Sequence, residues 1–346
     1  MQLPSIPPID EQAAEAARAR QAVLTKPGGS LGRLEELSIQ MAGIRGQARP
    51  RVERKAVIVM AADHGIAREG VSAYPSEVTP QMVLNFLHGG AAINVLARQA
   101  GARVKVVDMG VAYDFGDLPG LIQRKVAHGT RSITAGPAMT RAQAEQALQI
   151  GIDLAAAEVD SGLDLIATGD MGIGNTTPSS AIVAAFTGLP PARVTGRGTG
   201  VDDTGLARKV AAIQTALLVN QPDPSDALDV LHKLGGFEIA GMAGVMIGAA
   251  ARRIPVVVDG FISGAAALVA AELLPDVRPY LIAAHLSVEI GHRAIWERLG
   301  LRPMLDHHLR LGEATCAALA FHLVEAAARI LDEMATFGEA GVSDKQ

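Results

Sequence analysis

AVIVMAAD (residues 56–63) is apolar throughout before its terminal aspartate, and four further runs resemble it: VKVVDMG (104–110), DLIATGD (164–170), IPVVVDG (254–260) and PYLIAAH (279–285). A strand with one wet face alternates apolar and polar side chains. These runs are nearly continuous, the pattern of strands covered on both faces of a parallel sheet. Helical periodicity fills the intervals, at 81–99, 141–158, 178–187, 205–219, 237–252 and 261–274. The alternation predicts an α/β fold with a doubly wound, mostly parallel sheet. No strand signal precedes residue 55. Residues 11–24 and 31–45 read as helices, and 310–337 as one long Ala- and Leu-rich helix. Residues 1–50 and 310–346 are therefore expected to form a small helical subdomain, and 51–309 a large α/β substrate-binding domain.

Composition narrows the function. The 346 residues are 49% hydrophobic with only 3% aromatic, and the net charge is −5. Few stacking rings and an acidic balance argue against a nucleic-acid partner. The one cysteine, Cys316, excludes an internal disulfide and a cysteine zinc cage. The Pro-rich segment 1–10 has no basic region followed by an apolar stretch, so no signal peptide is expected. The apolar segment 254–274 is interrupted by Asp259, Gly260, Gly264 and Glu272 and reads as strand, turn and helix, so no membrane partner is expected. The expected compartment is the cytoplasm.

All five runs finish at or beside a polar group: Asp63-His64, Asp108, Asp170, Asp259 and His285. Ligands of open parallel sheets bind outside the carboxyl ends of the strands. A single aspartate there is ordinarily a helix cap; five polar ends point to a polar crevice in which some still serve as caps.

GDMGIGNTTP (169–178) follows a strand and opens a helix. Thr177 suits the N-cap and Pro178 the first helical position. Gly172 and Gly174 leave backbone N–H groups free to face an anion at a helix N-terminus. Spacing alone leaves a phosphate-binding turn and a plain tight turn both open. A second glycine cluster, TGRGTG (195–200), precedes a helix carrying Arg208 and Lys209. Lys209 is either an ordinary surface lysine or the counter-charge of a phosphate. Ser287, just past the last strand, either donates to that phosphate or caps a helix. Glu313, in RLGEATC (310–316), opens the terminal helix, where a glutamate ordinarily faces the helix dipole.

Taken together, LTKPGGSLGRLE (24–35), ADHGIAREGVSAYPSEVTPQMVLNF (62–86), GGAAINVLAR (89–98), GDMGIGNTT (169–177), GRGTGVDD (196–203), GFEIAGMAG (236–244), VDGFISGAAAL (258–268) and LRLGEAT (309–315) resemble the nicotinate-nucleotide–dimethylbenzimidazole phosphoribosyltransferase family of the cobalamin lower-ligand pathway. The resemblance implies a homodimer whose active site lies at the carboxyl edge of the sheet. It implies that the 5-phosphoribosyl group of nicotinate mononucleotide passes to 5,6-dimethylbenzimidazole with inversion, giving nicotinate and α-ribazole 5′-phosphate. Both substrates are small molecules, and neither a cofactor nor a metal is expected. Glu313 corresponds to the catalytic base, and Asp170 stands near the acceptor where the family more often has Glu. Gly172, Gly174, Asn175, Lys209 and Ser287 correspond to the nucleotide and phosphate positions, with Asp259 a further polar residue of that site. Tyr74, Gln81, Met82 and Leu311 fall in the acceptor-base pocket. Ala314 and Cys316 depart from expected glycines, and Asp306-His307-His308 is unusually His-rich. Two rivals are a non-catalytic nucleotide-binding protein on the same scaffold and a metal-dependent hydrolase using Asp63, His64 and His285. The intact Glu313 and glycine turn weigh against the first, and the irregular ligand spacing against the second.

Overall fold

A computed structural model describes residues 1–343. Six strands form one parallel sheet: β1 (Lys55–Ala62), β2 (Ala102–Gly110), β3 (Leu121–Gln123), β4 (Leu165–Met171), β5 (Val256–Val258) and β6 (Leu281–Ala283). Their spatial order is β3-β2-β1-β4-β5-β6, so the chain winds outward from β1 to one edge and from β4 to the other. The expected doubly wound sheet is present, and its switch point lies between β1 and β4.

The continuous apolar runs divide by parity. On β1, Ala56, Ile58, Met60 and Ala62 enter one core, while Val57, Val59 and Ala61 enter the other. Val256 and Val258 likewise oppose Val257 on β5. A two-residue period with both faces covered leaves no exposed position to mark the alternation.

The first core lies under α5 (Arg141–Asp160), α6 (Thr176–Thr187), α10 (Phe237–Ala251) and α11 (Phe261–Leu273). The second lies under α3 (Val78–Leu87), α4 (Ala92–Gln99) and α13 (Thr315–Glu333). The terminal helix α13 thus packs on the sheet and also meets α1 (Glu11–Val23) and α2 (Arg33–Arg45). Arg20 of α1 donates to the carbonyls of Leu331, Asp332 and Met334, which ties the two ends of the chain together. Among the described residues, no helix is long and apolar enough to cross a membrane.

Several sequence expectations need correction. The helix expected over 81–99 is two, α3 and α4, because the chain turns at Gly89 with φ +78°. The terminal helix starts at Thr315 rather than 310, after Glu313 and Ala314 at φ +62° and +70°, a left-handed conformation incompatible with helix. Helix α6 starts at Thr176, so Asn175 rather than Thr177 holds the N-cap position. Pro178 is then the third helical residue, still within the turn whose N–H groups have no intrahelical acceptor. The short edge strand β3 and the helices α7 (Pro191–Val194), α9 (Ala227–Leu234), α12 (Gly291–Leu299) and α14 (Phe337–Ala340) were not anticipated. The remaining helix, α8 (Asp203–Asn220), carries Lys209.

Candidate active site

The carboxyl ends of β4, β5 and β6 open into a cavity of about 470 Å³. Its floor is Asp170, and its walls come from three loops, 196–200, 285–289 and 308–312. These loops are laced together. Arg310 donates to the Gly198 carbonyl at 2.9 Å, and Thr199 Oγ1 accepts the Ala73 amide at 3.0 Å.

Asp170 ends β4 and is buried, with Asn175 Nδ2 donating to its Oδ2 at 2.9 Å. Burial pushes its carboxyl up to about 7, helped by the neighbouring Glu238 and Glu313 charges. Gly312 stands over it: a Cβ there would sit 3.0 Å from Oδ1, and φ is +85°. Glu313 follows, buried in its left-handed turn. Its Oε2 accepts the amide of Ile93, in the first turn of α4, at 3.4 Å. Burial raises the Glu313 pKa, and the Ile93 amide moderates the rise. A protein carboxylate tuned upward is a stronger base than one in water.

The phosphate-side residues sit differently from their spacing. Gly172 does not line the cavity; a Cβ there would meet the Ala62 carbonyl oxygen at 2.4 Å. Gly174 turns the chain at φ +90° against Ala67. The amide of Ile173 between them is already bonded to Thr79 Oγ1 at 3.1 Å. It is therefore Asn175, Thr176, Gly198 and Thr199 that face the cavity. Lys209 is fully buried behind them, and its Nζ donates to Thr176 Oγ1 at 2.8 Å. The surface-lysine reading is thereby excluded. Burial lowers its pKa to about 8, against the opposing pull of Glu289. Ser287 lines the cavity; its hydroxyl donates to the Leu309 carbonyl at 3.1 Å and receives the Glu289 amide at 3.3 Å.

Asp259 lies beneath the cavity rather than in its lining. Its Oδ1 accepts the Ala317 amide at 2.9 Å, in the first turn of α13, whose own N-cap residue, Ala314, has no capping side chain. The aspartate of β5 thus caps a helix more than fifty residues away. Burial raises its pKa to about 8, and the α13 amides oppose the shift.

Tyr74 and Leu311 line the cavity mouth, and both are exposed. Gln81 and Met82 lie on α3 outside that lining, with Gln81 exposed and Met82 packed against the second core.

Of the other polar strand ends, His285 lines the cavity, whereas Asp63, His64 and Asp108 lie outside it. Asp108 is held by the amides of Gly110 and Val111 and by Lys125 at 2.8 Å. His64 and Glu238 form a buried pair at 2.6 Å, and the carboxylate raises the His64 pKa against the effect of burial. His285 packs beside His292, and burial lowers its pKa to about 4. Asp63, His64 and His285 do not converge, and no cluster of three or more metal-ligating side chains exists among the described residues. Thr176, Gly198, Thr199, Phe261, Glu289 and Arg310 all line the cavity without having been singled out. The glycine-rich spelling of 195–200 was the available signal for two of them.

A family model described as "Phosphoribosyltransferase" matches residues 6–342. The chain is 66% identical over 340 residues to the nicotinate-nucleotide–dimethylbenzimidazole phosphoribosyltransferase of Roseiflexus sp. (strain RS-1), covering 98% of this chain and 96% of that protein. It is 60% identical over 342 residues to the protein of the same name from Geobacter sulfurreducens, covering 99% of this chain and 97% of the relative. The crystal structure of CobT from Thermus thermophilus superposes with a TM-score of 0.93 at 50% identity, over 96% of this chain and 100% of that one.

Proposed function

The chain belongs to the nicotinate-nucleotide–dimethylbenzimidazole phosphoribosyltransferase family, and on that premise we propose that it transfers the 5-phosphoribosyl group of nicotinate mononucleotide to 5,6-dimethylbenzimidazole, releasing nicotinate and α-ribazole 5′-phosphate. The observation that carries this reading is a pair of neighbouring buried carboxyl groups, Asp170 in the cavity lining and Glu313 outside it, next in the chain after the lining residue Gly312, together with a buried lysine behind a glycine turn.

The chemistry suits that division. The ring nitrogen bonded to ribose in the donor is cationic, so nicotinate leaves with a neutral ring nitrogen and needs no general acid. The attacking atom is the bare nitrogen of the benzimidazole. As it bonds to the anomeric carbon, the proton on the other ring nitrogen becomes acidic, and Glu313 takes it. Asp170, in its ionised form, faces the positive charge that develops at the anomeric carbon. Entry opposite the leaving group converts the β-nucleotide to the α-riboside. Thr176, Ser287 and the 198–199 backbone surround the phosphate, with Lys209 as its counter-charge. Tyr74 and Leu311 bound the acceptor at the mouth, and Gln81 and Met82 extend its pocket from α3. Gly172 and Gly174 act by letting the first turn approach β1, which sets Asn175 and Thr176 in place. Asp259 acts through α13.

Exposed Val288, Ile290, Tyr74 and Leu311 at or beside the mouth support a homodimer in which a second copy covers this rim. The biosynthetic reaction supports a cytoplasmic protein. The contacts joining α1, α2 and α13 support a helical subdomain made of the two chain ends, with α13 shared between it and the second core of the α/β body; its last three residues, 344–346, lie outside the described residues.

The test is to incubate the purified protein with both substrates and follow nicotinate and α-ribazole 5′-phosphate by chromatography and mass. Both products in equal amounts establish the transfer. Nucleotide binding without either product returns the chain to a binding role.

A further inference from the structure

Glu289 follows β6 by a few residues, is buried, and lines the cavity. Its Oε1 accepts the Gly198 amide at 2.8 Å. A Cβ at Gly196 would stand 2.1 Å from its Oε2, so residue 196 is glycine because the carboxylate occupies the space of a side chain. Gly198 packs in the same way on the other side of the turn, where a Cβ would lie 2.8 Å from Lys209 Nζ and 2.7 Å from Thr176 Oγ1. The glycines of GRG thus let a single strand of backbone pass between a buried acid and a buried ammonium.

We propose that Glu289 is a positioning residue of the phosphate cradle, which anchors the 196–200 turn and serves as counter-charge to the buried Lys209. The inference rests on the reading of this cavity as the donor-phosphate site. A lysine with no water around it loses its proton unless a negative charge lies nearby.

The charged groups around Lys209 leave that role to Glu289. On α8, Arg208 turns away to the Gly70 carbonyl, Asp202 caps the Gly205 amide, and Asp203 pairs with Arg197. Helix α6 offers Thr176, which is uncharged. The 308–312 loop brings Arg310 to the Gly198 carbonyl, a second cation that works against the ammonium. Asp170 is held by Asn175 on the cavity floor. Burial depresses the lysine to about 8, and Glu289 is the charge that opposes the depression.

Such an arrangement keeps the cradle charged before the donor arrives. A cradle that had to gain its proton together with the phosphate would bind ever more weakly as pH rises. Glu289 also lies beside the incoming phosphate, so the opposite role, an internal anion that competes with substrate, makes the opposite prediction.

The deciding variant is Glu289→Gln, which still offers an oxygen to the Gly198 amide but removes the charge. Lysine side chains labelled with ¹³C are titrated by NMR in the full chain without substrate, with the Lys209 signal assigned from Lys209→Arg. The midpoint for Lys209 is expected to fall by about one pH unit in Glu289→Gln and to stay near the parent value in Glu289→Asp. Calorimetry with nicotinate mononucleotide then compares parent and Glu289→Gln at each pH, which cancels titration of the donor itself. The variant is expected to bind about fivefold more weakly at pH 8, approaching tenfold near pH 9, and nearly as well at pH 6. An unchanged Lys209 midpoint, a pH-independent loss, or tighter binding by the variant overturns the proposal. If the midpoint moves but neither protein binds the nucleotide, the assignment of Glu289 stands and the proposed donor is wrong.

Discussion

The peptide after Glu313 rests directly on Gly169: a Cβ at position 169 would lie 2.6 Å from both the carbonyl carbon and the carbonyl oxygen of Glu313. The strand that ends in one carboxylate therefore sets the height of the other. Gly169→Ala should lift the 312–314 turn away from β4. Overpacking of this kind costs about 1–3 kcal/mol, and turnover should fall while the affinity for nicotinate mononucleotide changes little. Steady-state kinetics beside donor calorimetry check this; a variant with full turnover would show that the contact does not place Glu313.

Removing the base itself should be more severe. Glu313→Gln keeps the shape and the Ile93 contact but cannot take the acceptor's proton. Turnover should drop by about 10²–10⁴, with donor binding retained. If turnover survives, Glu313 is only a helix-end residue, and the proton leaves by another route.

The pH profile should have two limbs. Asp170 and Glu313 must both be ionised to act, and burial raises both pKa values, that of Asp170 to about 7, so kcat/KM should fall on the acid side from near neutral pH, well above the range of ordinary carboxylates. On the alkaline side Lys209 loses its charge near 8, and the apparent donor affinity should weaken there. Lys209→Ala should raise the donor KM more than it lowers kcat at neutral pH and should abolish the alkaline limb in KM. A limb that persists in this variant belongs to another group.

Asp259 makes a prediction about stability. Removing the cap with Asp259→Ala should cost about 0.5–2 kcal/mol in chemical denaturation, whereas Asp259→Asn still accepts the Ala317 amide. The sign of the pH effect follows from a carboxyl raised to about 8 in the fold and near 4 when unfolded. Between those values the folded state holds the extra proton, so the contribution of Asp259 to stability falls as pH rises and is at its lowest above 8. Asp259→Asn should flatten that part of the stability–pH curve. Equal losses in the Ala and Asn variants would mean that capping is not what Asp259 contributes.

Residue order alone was enough for the parallel α/β fold, the family, and the identity of the polar strand ends. Burial on both faces makes a strand apolar throughout, and that signal is local. The positions of Asp170 and Ser287 at one cavity were legible for the same reason, each lying at or just past the carboxyl end of a strand, whereas Tyr74 and Leu311 were expected there only from the family resemblance. What the sequence could not decide was the partner of each group. Gly172 and Gly174 read either as an anion turn or as a plain tight turn, and only packing shows how closely they approach Ala62 and Ala67. Lys209 read equally as a surface residue, because helical spacing does not reveal that Thr176 and Gly198 close over it, with Glu289 on the far side of the glycine turn. Asp259 read as a polar site residue, and only the fold reveals that its Oδ1 accepts an amide of α13. These outcomes depend on distances between segments remote in the chain, and desolvation, which sets the charges of Asp170, Glu313 and Lys209, arises only when those segments pack together.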